Sequence, residues 1–156
     1  MSVIIQGDEL RTLLLGRRVS RATAALPQTT DEALFTIAGG QVLLTSLVGE
    51  VTTVIQTQAN NTKLKFNPDA TGADQDLCAV LSITADAVGE LYTISGTVGD
   101  AMRSDLLIGL NSLFGAGGMV LSEGAIELDC AASNTGSVKW DLTYIPLDDG
   151  ASVVAA

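Results

Sequence analysis

Beyond about residue 33, apolar and polar positions alternate in short runs broken by glycine, which is the period of half-buried strands and not of helices. The clearest run is SVKWDLTYI, where Val138, Trp140, Leu142 and Tyr144 share one face and Lys139, Asp141 and Thr143 the other. AIELDC before it sets Ile126, Leu128 and Cys130 against Glu127 and Asp129, with the turn Ser133-Asn134-Thr135-Gly136 between the two runs. TKLKF alternates in the same way, Leu64 and Phe66 against Lys63 and Lys65, after a turn at Asn60-Asn61. In LFTIAGGQVLLTSLV, Gly39 and Gly40 predict the two-residue loop of a tight hairpin. Gly49-Glu50 predicts a bend or bulge before a strand over VTTVIQTQ. NPDATGADQD reads as a loop, LCAVLSIT as a buried strand, Ala85 to Gly89 as a turn and ELYTISGTV as a further strand. Residues 99–118 fit either a short helix or a strand with a long loop. About eight strands at short spacing predict an all-β fold, an antiparallel β-sandwich or a jelly-roll-like barrel.

The N-terminal segment has a different pattern. Asp8 suits an N-cap, Glu9 the first turn and Gly16 a helix end, predicting about two turns over Asp8 to Leu15. Leu10, Leu13 and Leu14 fall on one face, and a helix this short needs a dock for that face. From Val19 to Asp31 small and polar residues without a period predict an extended arm. The expected organisation is a helix and docking arm over 1–33 and a sandwich body over 34–156, with no internal repeat.

Composition narrows the chemistry. Among 156 residues only 4% are aromatic and 17% charged, while 47% are hydrophobic, so the surface is sparsely charged and suits cover by a partner. The net charge is -10, and residues 1–26 run against it: Arg11, Arg17, Arg18 and Arg21 face only Asp8 and Glu9 there, leaving -12 on the rest. Such a body repels nucleic acid and anionic lipid, and neither partner is expected. No stretch reaches the roughly 20 apolar residues of a membrane helix. The first seven residues do not read as a signal peptide, so synthesis in a cytoplasm is expected. Cys78 and Cys130 read as buried thiols.

The chain has no histidine, which removes the commonest general base and metal ligand. No catalytic residue, cofactor site or metal site is expected. Glu127 and Asp129 read as a solvated strand face, not a glycosidase pair. Asn67, Asp69, Asp74 and Asp76 crowd one loop, but their spacing departs from the calcium-loop pattern. Gly115-Ala116-Gly117-Gly118 lacks the lysine of a phosphate cradle. Asn60-Asn61-Thr62 is formally a glycosylation acceptor. What remains is the helix face and the arginines: Leu10, Leu13, Leu14, Arg17, Arg18 and Arg21 are candidate partner-docking residues. The arginines would meet either an acidic surface of a neighbouring subunit or this chain's own carboxylates.

With those features in place, ALFTIAGGQVLLTSLVGEVTTVIQTQANNTKL, DLCAVLSI and CAASNTGSVKWDLTYIPLDDGASVVAA resemble small structural proteins of tailed-bacteriophage virions. Within that group the chain is most similar to capsid decoration, or cement, proteins. The resemblance implies a non-enzymatic subunit, commonly a homotrimer, that binds the major capsid protein on the outer surface of the head. It implies synthesis in the host cytoplasm and residence in the virion. A tail or head-to-tail component, or a β-sandwich module binding sugar or protein, are the alternative roles.

Overall fold

In a computed structural model, which describes residues 7–106 and 118–156, the alternating runs form the strands of two packed antiparallel sheets. After one helix, α1 (Gly7–Leu15), the strands are β1 (Arg17–Ala25), β2 (Asp31–Ala38), β3 (Val42–Thr53), β4 (Asn61–Pro68), β5 (Gln75–Asp76) and β6 (Leu81–Ser82). They continue with β7 (Glu90–Thr93), β8 (Arg103–Leu106), β9 (Met119–Leu121), β10 (Gly124–Cys130), β11 (Ser137–Pro146) and β12 (Ser152–Ala155). One sheet has the order β1-β11-β3-β7-β8, with β9 also on β3; the other runs β12-β2-β10-β4-β5, with β6 also on β4. This is an all-β sandwich.

Period-2 patterning explains its core. Along β11, Val138, Trp140, Leu142 and Tyr144 are all buried, and along β10 so are Ile126, Leu128 and Cys130. Trp140, 1% exposed, packs against Tyr92 with ring centroids 6.4 Å apart. It lies over Gly49, where a Cβ would sit 2.8 Å from the indole. Gly49 is therefore the seat of the tryptophan inside a continuous β3, and not the expected bend. The bulges of the β3–β11 pair lie elsewhere, between Ser137 and Val138 and between Thr143 and Tyr144.

Several expectations are corrected. Gly39-Gly40 does not close a hairpin: β2 and β3 belong to opposite sheets, and the two glycines, with φ of 79° and 128°, turn the corner between them. A glycine pair allows either path, and the choice falls to the partners, since β2 lies between β12 and β10 while β3 lies beside β11. The strand expected over VTTVIQTQ ends at Thr53, and that expected over ELYTISGTV ends at Thr93. LCAVLSIT buries Leu77, Cys78 and Ile83, but only Leu81–Ser82 is strand.

The arm is corrected too. Extended as expected, it is bound to its own body as β1, paired with β11 from Arg17 opposite Tyr144 to Ala25 opposite Ser137. The boundary expected after residue 33 thus falls within β2. Of the segment left open, Arg103–Leu106 is a strand, while residues 107–117 lie outside the described residues, taking with them most of the Gly115–Gly118 cluster. A C-terminal strand, β12, was not anticipated; it pairs with β2.

Candidate docking surface

The helix expected near Asp8 is present, and Gly16 joins it to the sandwich. Gly16 takes φ of 95° and its N–H donates to Thr12 O at 3.0 Å, closing the helix through a conformation that favours glycine. A Cβ at this position would lie 2.3 Å from Tyr144 O, so the chain passes directly against β11. Thr45 Oγ1 donates to Leu15 O at 2.9 Å, a second tie to the body. The leucines point away from any internal dock: Leu10, Leu13 and Leu14 are 48%, 68% and 70% exposed, and Leu15, which sequence reasoning missed, is 43% exposed. These exposed leucines give one nine-residue helix an apolar outer face, the candidate docking surface. Beside it a cleft of about 590 Å³ is lined by Arg11, Thr12, Leu15, Gly16, Arg18 and Thr143.

The arginines divide. Arg18 Nη2 lies 2.8 Å from Asp141 Oδ1 across the β1–β11 pair, and Arg21 Nη2 lies 2.6 Å from Glu32 Oε1. Arg21 is only 10% exposed and ties β1 to β2 of the opposite sheet. These two meet the chain's own carboxylates. Arg17 and Arg11 take part in none of the ion pairs formed among the described residues.

On the outer face of the second sheet, Lys63 lies 2.8 Å from Asp76 and 4.0 Å from Asp129, while Lys65 bonds Asp31 and, at 2.9 Å, Asp74. Asp31, Asp74 and Glu127 bring one oxygen each within 4.8 Å of one another, and Lys65 supplies the positive charge for two of them. The loop carboxylates considered for calcium do not gather: Asp74 and Asp76 go to the two lysines, and Asn67 Nδ2 donates to Glu127. Asn60, first of the formal glycosylation triplet, is fully buried and exchanges hydrogen bonds with Ala132 N and O, both 3.1 Å.

Burial pushes the carboxyl groups of Glu90 and Asp129 above the usual range, with Asp86 adding to the first and Asp31 to the second. It likewise raises the thiols of Cys78 and Cys130, both free and buried, and so keeps them protonated and weakly nucleophilic. A carboxyl whose folded pKa is raised binds its proton more tightly in the folded state. Stability then increases as pH falls from above the folded pKa towards the ordinary carboxylate value. The melting temperature is accordingly expected to rise on mild acidification from neutral pH, and the Glu90→Gln/Asp129→Asn variant should show a smaller rise. An equal rise in the variant would assign the effect to other groups.

A second cleft, of about 450 Å³, lies at the sheet-to-sheet corner and is lined by Gly39, Gly40, Gln41, Asp69, Ala70, Ser122, Glu123 and Asp148. Glu123 Oε1 accepts from Gly39 N at 2.8 Å and Asp148 Oδ2 from Gln41 N at 2.7 Å, so the turn amides fix both carboxylates in place. No sequence signal marks this site, because its acids lie in three separate loops.

The chain matches no protein-family model and no curated protein. The candidate docking surface therefore rests on this geometry: a leucine-faced helix held on the sandwich by Gly16 and Thr45, with the arginines of β1 following it.

Proposed function

We propose that the chain is a structural virion subunit, a decoration or cement protein that binds the major capsid protein on the outside of a tailed-phage head and stabilises capsid contacts. The observation that carries this reading is the exposed leucine face of α1, on a helix held to a closed sandwich that leaves it uncovered. An apolar face on a short helix gains most of its stability from packing, so it fits a surface completed in an assembly. The sparse charge of the chain and its resemblance to phage structural proteins support the same role, which requires no chemistry.

The test is co-sedimentation of the purified full chain with undecorated heads of the phage that encodes it. Binding is expected, and Leu13→Asp/Leu14→Asp should weaken it by about 100-fold or more, the scale of two leucine side chains left unburied. Both side chains are exposed, so the same variant should keep its unfolding free energy within about 1 kcal/mol of the parent. Failure of the parent chain to bind heads would overturn the role, and undiminished binding by the variant would remove α1 from it.

A further inference from the structure

We infer that the free edge of β1 is a strand-addition site, which takes an extended acidic segment of the capsid protein and receives its carboxylates at the cleft lined by Arg11 and Arg18. The site rests on the capsid-binding reading and deepens it with a second contact, contiguous with the leucine face of α1 through Gly16.

β1 ends the first sheet and pairs with β11 on one side only. Outside that ladder, no backbone hydrogen bond among the described residues involves residues 17–25. The strand, RRVSRATAA, holds no proline, so the N–H and C=O groups on its outer side form an unpaired row. The other strands that end the two sheets are blunted by their length: β5, β8 and β12 hold two, four and four residues. β1 holds nine, and its register is broken only between Arg21 and Ala24, which leaves Arg17–Arg21 as a regular edge. That stretch has the length of an ordinary strand, enough for a partner's extended backbone to add to it.

Charge selects the partner. β1 carries three arginines and no acid. Arg21 is turned to Glu32 and nine-tenths buried, whereas Arg17 is exposed and in none of the ion pairs among the described residues. At the start of the strand, Arg11 and Arg18 line the cleft of about 590 Å³ with Thr12 and Thr143, and no carboxylate is among its lining residues. Asp8 and Glu9 lie in the first turn of α1, at the end away from β1. Arg18 Nε and Nη2 meet the same oxygen of Asp141, at 2.9 and 2.8 Å, and the group stays 66% exposed, so part of its fork is left for a second carboxylate. Two carbonyls at the cleft are already occupied, Leu15 O by Thr45 Oγ1 and Thr12 O by Gly16 N. The acidic body opposes such a partner only at long range, because at about 0.15 M salt charges more than roughly 8 Å apart are largely screened. An acidic strand satisfies both features at once, its backbone the open ladder and its carboxylates the arginines.

The closing experiment is nuclear magnetic resonance of the labelled full chain with a capped peptide of alternating glutamate and valine. Amides of Arg17–Arg21 that point away from β11 are expected to shift and to gain protection from hydrogen exchange. Affinity should fall by about tenfold or more in Arg11→Glu/Arg17→Glu, and also when salt is raised above about 0.15 M. Both arginines are unpaired, so the variant should melt with the parent by circular dichroism. A lysine and valine peptide should not bind, and Leu13→Asp/Leu14→Asp should bind the acidic peptide as the parent does. No response along β1, equal binding of the lysine peptide, or shifts without protection of the outward amides would each overturn the inference. Head binding is read separately, and Arg11→Glu/Arg17→Glu should weaken it. A chain that takes the peptide but ignores heads removes the capsid protein as the source of the strand, together with the decoration role. A chain that binds heads through α1 but refuses the peptide removes the strand site alone.

Discussion

Trp140→Ala is expected to lower the unfolding free energy by about 4 kcal/mol, the scale for emptying a buried aromatic site. The indole is 1% exposed, stacks at a tilt on Tyr92 and rests on Gly49, which sits on β3 opposite it in the β11 register. The cavity would open in the core over Gly49 of β3 and beside Tyr92, on the side of the first sheet that faces Leu34 and Leu128 of the second. Urea unfolding should show a lower midpoint with little change in slope, and the melting temperature should fall by about 10 °C. A loss under about 1.5 kcal/mol would mean that the site collapses easily and that Trp140 is not the centre of this core.

Gly124→Ala is expected to approach the same cost by adding a single methyl group, about 3 kcal/mol. Gly124 has φ of 150°, and its Cβ would lie 2.3 Å from Asn67 O and 2.8 Å from Pro68 Cα. The obstruction is backbone on a neighbouring strand. Relief cannot come from a rotamer change, because β10 is held on both sides, Gly124 opposite Ile37 of β2 and opposite Pro68 of β4. Thermal unfolding of the alanine variant checks this. A melting temperature equal to the parent's would show that β10 can shift at its first residue. The two substitutions probe opposite failures, a void beneath one sheet and an overlap in the other, and neither residue belongs to α1 or to its ties through Gly16 and Thr45. Their damage should appear as lost stability and not as selective loss of docking.

What was readable in the chain and what was not separates along a physical line. Alternation fixes which side of a strand is apolar, so Val138, Trp140, Leu142, Tyr144, Leu64 and Phe66 were legible as core residues, and all six are buried. Helix α1 was equally legible, because a leucine spacing and a terminal glycine are local signals. Strand partners are not local. Gly39-Gly40 permits a hairpin or a corner, and only the competition of β10 and β11 for the flanking strands decides between them. Residues 17–25 carry no apolar period, yet β11 offers them a free edge to pair with.

The candidate site divides in the same way. The sequence by itself determined that leucines and arginines cluster near the N-terminus, that no histidine is present, and that the body carries the negative charge. The tertiary structure alone decided which arginines are matched, Arg18 by Asp141 and Arg21 by Glu32, and that the leucine face stays uncovered. It alone gathers Asp69, Glu123 and Asp148 around one corner. The reason is range: periodicity and capping act over a few residues and are written in the local chain, whereas an ion pair or an exposed face depends on segments that only folding brings together.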